Sequence, residues 1–286
     1  MGKIKCLSAV LFVNQQKVNA AETAQKIKNE LEKSNINVTI FAFDGEPQKL
    51  PQEKWDIAFS LGGDGTVLYT ARSLAHLEIP VIPVNLGTLG FIAEVSIDDW
   101  LSVFQKWQEG VIVPSSRCML DITVERGSKA VFNNICLNDA VISATGIAKL
   151  INLDVHINSD TALGSYRCDG LIIATPTGST AYSMAAGGPI LDPEMEAVIL
   201  NPICPFALSS RPFVLTSRQT LAITVAQRQR SNVLLTVDGQ DIFALECGDK
   251  IFIKQSPHSA HLIFNGRNAY YSALRNKLFW QGESHA

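Results

Sequence analysis

Where Asp56-Ile57-Ala58-Phe59-Ser60-Leu61 runs into Gly62-Gly63-Asp64-Gly65-Thr66-Val67-Leu68, a short apolar stretch meets three glycines wrapped around one carboxylate. The pattern predicts strand, turn, helix. Gly62, Gly63 and Gly65 lack a Cβ, so the turn can take positive φ angles and bring backbone N–H groups close to a ligand. Thr66 is placed to cap a helix whose apolar residues Val67, Leu68, Ala71, Leu74 and Ala75 recur at helical spacing. A turn opening onto the positive end of a helix dipole suits phosphate oxygens. A carboxylate in its middle repels such a ligand unless a metal or a proton acceptor is needed there, which makes Asp64 the candidate base. A plain turn is the rival reading, since Asp is frequent in turns. The dinucleotide fingerprint G-x-G-x-x-G fails because Leu68 stands where its last glycine belongs, and no G-x-x-x-x-G-K-[ST] occurs.

A chain of 286 residues allows one large domain or two ordinary ones, and an apolar fraction of 47% supplies packed cores. The net charge of −3, with basic residues scattered, excludes general attraction for nucleic acid. Six cysteines stand far apart with no C-x-x-C pair, as in a reduced cytoplasmic protein. Lys3 and Lys5 before the apolar Cys6–Val13 run, with Val18-Asn19-Ala20 after it, resemble a leader peptide. The run is short and gives way at once to Asn14-Gln15-Gln16-Lys17, as a buried first strand does. Cys6 stands where a myristoylation motif needs Ser or Thr, and no apolar run is long enough to span a bilayer as a helix.

In chain order, Ile4 to Val13 reads as a strand, Ala20, Ala24, Ile27 and Leu31 as one face of a helix, and Ile36 to Phe43 as a second strand. The Asp56 to Leu61 strand, the glycine turn with its helix, and a strand at Pro80 to Val84 follow. Strands alternating with helices predict a parallel sheet covered on its faces. Asn85-Leu86-Gly87-Thr88-Leu89-Gly90-Phe91 is then a second glycine loop at the same carboxyl edge, where open α/β sheets bind ligands. Ser96 with Asp99 makes a capping box, with Ile97, Trp100, Leu101, Phe104 and Trp107 as the buried stripe of its helix. Near Pro114-Ser115-Ser116 the period changes to two: Leu120, Ile122 and Val124, then Leu153, Val155 and Ile157, alternate with polar residues. Short strands at Leu221–Ala226, Val233–Val237 and Ile251–Ile253 complete a sandwich-like antiparallel half. Tyr271, Leu274 and Leu278 mark one side of a terminal helix.

Within the β half, Asp169-Gly170-Leu171-Ile172-Ile173-Ala174 leads into Thr175-Pro176-Thr177-Gly178-Ser179-Thr180-Ala181-Tyr182-Ser183-Met184-Ala185-Ala186-Gly187-Gly188-Pro189. An apolar strand enters a hydroxyl-rich turn, then small residues that admit a flat ring. Ser179 or Thr180 is placed to cap a short helix. A tight strand–helix connection without a ligand fits the same pattern.

Gly62-Gly63-Asp64-Gly65, the Asn85–Phe91 loop, Leu137-Asn138-Asp139 and the Thr175–Pro189 run together resemble NAD kinase, and the similarity spans most of the chain. The Gly-Gly-Asp-Gly element alone is shared with diacylglycerol and sphingosine kinases and 6-phosphofructokinases, whereas the Thr-Pro-Thr-Gly-Ser-Thr-Ala-Tyr run is more selective. The resemblance implies Mg²⁺-dependent transfer of the γ-phosphoryl of ATP, or of polyphosphate, to the 2′-hydroxyl of the adenosine ribose of NAD. By the same resemblance Asp64 takes the hydroxyl proton, and Gly62, Gly63, Gly65 and Thr66 hold phosphates. Asp64 and Gly65, Asn138 and Asp139, and Thr180, Ala181, Tyr182, Ser183 and Ala185 contact NAD. Arg167 and Asp169 fall near the nicotinamide end, and Lys149 and Gln240 match further contacts. A surface ion pair is the rival reading for Arg167 and Asp169, a core tyrosine for Tyr182, and a hairpin turn for Asp238-Gly239. Asp139 is often glutamate in the family, and Ala185 stands where many relatives have serine.

The implied architecture is an α/β domain with a Rossmann-like parallel sheet over 1–117, an all-β, sandwich-like domain over 118–258, and a segment over 259–286 that returns to the first. The resemblance also implies a homodimer or homotetramer, with a monomer as the rival reading, while the charge and run lengths point to no nucleic-acid or membrane partner and the cysteines to a cytoplasmic protein. A lipid kinase and a non-catalytic dinucleotide-binding module are the competing readings. An intact Asp64 speaks against the module.

Overall fold

The computed structural model describes residues 4–44, 50–51, 53–87, 90–146, 149–158, 160–266 and 268–278. The chain forms two compact units, Met1–Ser116 with Ala260–Ala286, and Arg117–Ser259.

The first unit begins β1 (Ser8–Asn14), α1 (Ala20–Glu32), β2 (Asn37–Phe43), β3 (Ile57–Gly62), α2 (Asp64–Leu74), β4 (Val81–Asn85) and α3 (Trp100–Gln108). Its strands are parallel in the order β2-β1-β3-β4. Residues alternate between two covered faces. Ala9, Leu11, Val13, Ile57, Phe59, Leu61, Ile82 and Val84 pack with Ala20, Ala24, Ile27 and Leu31 of α1 and Trp100, Val103, Phe104 and Trp107 of α3. On the other face, Phe12 of β1 meets Tyr69 of α2 edge to face at 6.3 Å. Burial on both sides explains the unbroken apolar strands, and each large side chain so buried contributes about 1.5–3 kcal/mol.

The α3 stripe differs from the expectation. Ser96 Oγ accepts the Asp99 N–H (3.2 Å) and donates to its carboxylate (2.6 Å), but the helix starts at Trp100 with Asp99 as its cap and no side-chain cap bond, so the pair closes a turn ahead of the helix in place of the expected capping box. Ile97 lies in that turn, ahead of the helical period, and is exposed, while Val103 is buried in its stead.

The second unit contains β5 (Ser115–Arg126), β6 (Lys129–Cys136), β7 (Asp139–Ala144), β8 (Ile151–Ile157), β9 (Thr161–Cys168), β10 (Gly170–Ala174), α4 (Tyr182–Ala185), β11 (Ala197–Ile203), β12 (Phe213–Thr216), β13 (Leu221–Val225), β14 (Val233–Val237), β15 (Asp241–Leu245) and β16 (Lys250–Leu262). One antiparallel sheet runs β12-β11-β10-β7-β14-β15; β16-β13-β8-β9 belong to the other, where β5 pairs with β16 and β6 with β5. The inward residues of both sheets form one core, as a sandwich requires: Leu120, Ile122, Leu153, Val155, Ile223 and Ile251 from one sheet, Ala140, Ile142, Leu171, Ile173, Leu200 and Leu235 from the other. On the outer face of the six-stranded sheet, Val141, Ile172, Ala174 and Ile199 pack with Ala186 and Leu191. That covering keeps β10 buried on both faces.

The end of β16 belongs to the first unit, where Leu262 pairs in parallel with Val81. Helix α5 (Asn268–Lys277) follows and buries Tyr270, Ala273 and Leu274, whereas Tyr271 is 46% exposed. The buried face is therefore rotated by one residue from that expected. No helix among the described residues is long and apolar enough to cross a membrane.

Candidate functional site

In the first unit, the order β2-β1-β3 reverses direction at β1, and the glycine turn leaves the carboxyl end of the adjacent strand β3. Such a switch point is where open α/β sheets leave a crevice. Helix α2 starts at Asp64, one turn earlier than a Thr66 cap would allow. Its cap is Gly63, with extended backbone and no side-chain cap bond. Thr66 therefore lies inside the first turn, with Oγ1 buried and unpartnered.

None of Gly62, Gly63 and Gly65 has a positive φ, contrary to the expectation. Gly62 is needed for room, because a Cβ there would lie 2.1 Å from Thr66 Oγ1. Gly63 has no atom within 4 Å of its would-be Cβ, and Gly65 is exposed, so the start of α2 is open. The first N–H groups of a helix lack intrahelical acceptors and suit an anion.

The Asp64 side chain is held by the second glycine loop. Oδ2 accepts the Phe91 N–H (3.0 Å), and Oδ1 accepts those of Ile92 (3.1 Å) and Ala93 (2.8 Å). A carboxylate offers about four lone-pair sites, so these three bonds leave one direction, at Oδ2, for a further donor. Asn85 anchors the loop: its Nδ2 donates to Ala93 O (3.1 Å) and its Oδ1 accepts the Gly87 N–H (2.7 Å). Thr88 and Leu89 of the loop lie outside the described residues. Lys277 of α5 sets its ammonium 4.5 Å from the centre of the Phe91 ring, a cation that the sequence pattern did not single out.

In the second unit a cavity of about 410 Å³ is lined by residues from three distant parts of the chain, among them Asn138, Asp139, Ala181, Tyr182 and Asp238. Gly178 ties two of these parts together. A Cβ on it would lie 2.1 Å from the carbonyl oxygen of Asn138. Thr175 completes the join: its N–H donates to Asn138 O (2.8 Å) and its hydroxyl to Leu137 O (2.5 Å), while its Oγ1 accepts the Gly178 N–H (3.0 Å).

Thr175 Oγ1 thus ties down the turn at Gly178, while the helix cap expected from Ser179 or Thr180 does not form. Residues Thr177–Thr180 form a 3-10 turn, in which Thr180 Oγ1 donates back to Thr177 O (3.3 Å). Ser179 Oγ accepts the Leu191 N–H (3.0 Å), and α4 carries no side-chain cap.

Tyr182 is 48% exposed at the cavity, which removes the core-tyrosine reading. Asn138 Oδ1 is buried with no partner, as befits an acceptor kept for a ligand. Burial first, and then the charge of Asp238, push the Asp139 carboxyl up to about 7. Ser183 is fully buried, and Asn201 donates to its carbonyl (2.9 Å) and hydroxyl (3.3 Å), so it supports the wall without lining it. Ala185, Lys149 and Gln240 are exposed. Arg167 lies with its guanidinium carbon 4.7 Å from the centre of the Phe206 ring, and Asp169 is half-buried at the turn before β10. Of the residues expected to contact NAD, the cavity gathers Asn138, Asp139, Ala181 and Tyr182. Asp238 was missed because Asp-Gly is so common a turn signal; its distance in sequence from Asn138 left no local clue.

Comparison with known proteins shows the family. Residues 11–112 match the ATP-NAD kinase N-terminal domain and residues 137–264 the ATP-NAD kinase C-terminal domain. A Treponema denticola protein named NAD kinase is 40% identical over 277 residues, covering 96% of this chain and 97% of that protein. One from Geobacter metallireducens, also named NAD kinase, is 41% identical over 79% of each chain. Among solved structures, yeast NADH kinase complexed with NADH superposes with a TM-score of 0.87 at 24% identity, over 97% of this chain and 89% of that one. At that identity the likeness speaks for the fold.

Proposed function

The chain belongs to the NAD kinase family, and on that premise we propose that it transfers the γ-phosphoryl group of ATP to the 2′-hydroxyl of the adenosine ribose of NAD, giving NADP. The observation that carries this reading is the cavity that brings Asn138 and Asp139 together with Ala181 and Tyr182, the two segments whose resemblance is most selective. The family assignment over both domains disfavours a lipid kinase.

In the proposed reaction the cavity holds part of the dinucleotide. Tyr182 offers an exposed aromatic face for stacking, and Asn138 Oδ1 an unpaired acceptor. The start of α2, open at Gly63 and Gly65, receives phosphate oxygens through main-chain N–H groups. Asp64 accepts the proton of the 2′-hydroxyl at the one lone-pair direction its three amide bonds leave free. A positioned base of this kind contributes about 10²–10⁴ in rate. The three bonds also fix the carboxylate before substrate arrives, so no ordering cost falls on the reaction itself.

Magnesium commonly binds through one or two carboxylates together with substrate phosphates. Here we propose that the ion arrives with the triphosphate. When bound it neutralises charge on the transferring phosphoryl group. We include a homo-oligomer in this reading, to be checked by light scattering.

The experiment is direct. Purified protein, Mg²⁺ and NAD are incubated with ATP or with polyphosphate, and NADP is scored by an enzyme that ignores NAD. NADP formed with ATP supports the reading. Phosphorylation of diacylglycerol or a sphingoid base with NAD inert overturns it.

A further inference from the structure

In the hairpin between β14 and β15, Gln240 N donates to Val237 O (2.9 Å) across Asp238 and Gly239. The Asp238 carboxylate is buried at the cavity, and three successive main-chain N–H groups converge on it: Leu137 on Oδ2 (2.9 Å), Asn138 (2.7 Å) and Asp139 (3.0 Å) on Oδ1. Such a run of amides forms a concavity that takes an anion. Here the anion is a side chain from the far end of the domain. Asp238 N–H returns a bond to Asp139 O (2.9 Å), so the two segments are clamped from both sides. Asp238 adopts φ +50°, a left-handed conformation uncommon outside glycine and kept where surrounding structure enforces it.

The electrostatics point the same way. Among the residues lining the cavity, Asp139, Asp238 and Tyr182 are titratable and none is a cation. Strands β10 and β14, which flank β7, bear no ionisable side chain. Asp241, at the head of β15, accepts a bond from Asn134 Nδ2 (3.0 Å). Asp139 therefore faces the Asp238 charge with no positive partner among these residues. With its carboxyl pushed up to about 7, it presents a donor in the protonated molecules and only acceptors in the rest.

Resting on the functional reading above, we infer that Asp238 is a positioning residue for the dinucleotide: it clamps the Asn138–Asp139 turn in the cavity, with its own carboxylate beside that of Asp139. It acts through those two residues and touches no reacting atom.

The test compares the full-length parent, Asp238→Asn and Asp139→Asn. Asparagine tolerates the left-handed backbone but replaces one acceptor oxygen by an NH₂ donor facing the clamp. For Asp238→Asn the KM for NAD is expected to rise about tenfold, with kcat and the KM for ATP within about threefold. The pH at which NAD affinity changes, measured by calorimetry, moves toward acid once the neighbouring charge is gone. Asp139→Asn keeps every amide bond to Asp238 yet removes the titrating partner. Its NAD affinity should lose the pH break near neutrality, which identifies Asp139 as the titrating group; slow hydrogen exchange at the Leu137, Asn138 and Asp139 amides of the parent reads the clamp even if Asp238→Asn fails to fold, and fast exchange there overturns it. An Asp238→Asn protein with the parent's KM and pH profile, or an Asp139→Asn protein that keeps the parent's pH break, overturns the role of Asp238. A parent protein that binds no NAD and forms no NADP would instead overturn the functional reading.

Discussion

The Asp64 carboxylate lies so close to the α-carbon of Gly90 that a β-carbon built there would sit 1.7 Å from Oδ1. What Gly90 provides is room. The carboxylate cannot simply swing aside, because Phe91, Ile92 and Ala93 hold it. Gly90→Ala must displace either the base or the loop that aims it. Misplacement of about 1 Å costs on the order of 10²-fold in rate, so kcat should fall by about that factor while NAD affinity changes far less. Steady-state kinetics beside calorimetric binding checks this; parent-like turnover contradicts it.

Gly178 poses a harsher case. The atoms a new Cβ would meet are main-chain atoms of Asn138, at 2.1, 2.5 and 2.7 Å, with no rotamer to yield. Gly178→Ala should destabilise the protein by ~2 kcal/mol or more and raise the KM for NAD, since the strained segment lines the cavity. Scanning calorimetry and the NADP assay read the two effects. An unchanged Tm would show that the close approach does not matter.

The fold was legible because its periods are clean: two in the sandwich, 3.6 in α1, and unbroken apolar runs where a strand is covered on both faces. The errors fall where a local rule met tertiary constraint. Thr66 looks like a cap, but Gly63 takes that place because Gly62 must leave room for the threonine within the first turn. Ser179 looks like a cap, yet Leu191, twelve residues on, claims its hydroxyl. Asp64 was legible from its odd company of glycines. Its tether to the residue 91–93 amides was not, since no pattern announces which backbone a side chain will find.

The buried Asp139 carboxyl makes stability depend on pH. Folding raises it from 3.8 to about 7, chiefly by burial and next by the Asp238 charge. Between those values the native state binds a proton that the unfolded chain has released. Its contribution is therefore most favourable below about pH 4, declines as pH rises toward 7, and levels off above. The loss is about 4 kcal/mol. Asp139→Asn escapes it, so its Tm should exceed the parent's at pH 8, with the gap closing near pH 4. Parallel Tm curves across that range would contradict this.

Thiol reactivity should follow burial. Cys204 and Cys247 are exposed. Burial pushes the Cys6 and Cys118 thiols up to about 11 and that of Cys168 to about 12, and Cys136 is fully buried. Ellman's reagent at pH 7.5 should therefore label Cys204 and Cys247 within minutes and the other four only on unfolding. Rapid labelling of Cys168, located by peptide mapping, would contradict the packing of the sandwich core.

The central claim is that Asp64 removes the proton from the hydroxyl that attacks ATP, and Asp64→Asn tests it most directly. Expected is a fall in kcat for NADP formation of about 10²–10⁴-fold, with NAD and ATP dissociation constants and the Tm close to those of the parent. An Asp64→Asn protein that binds both substrates normally and turns over at the parent's rate would contradict it.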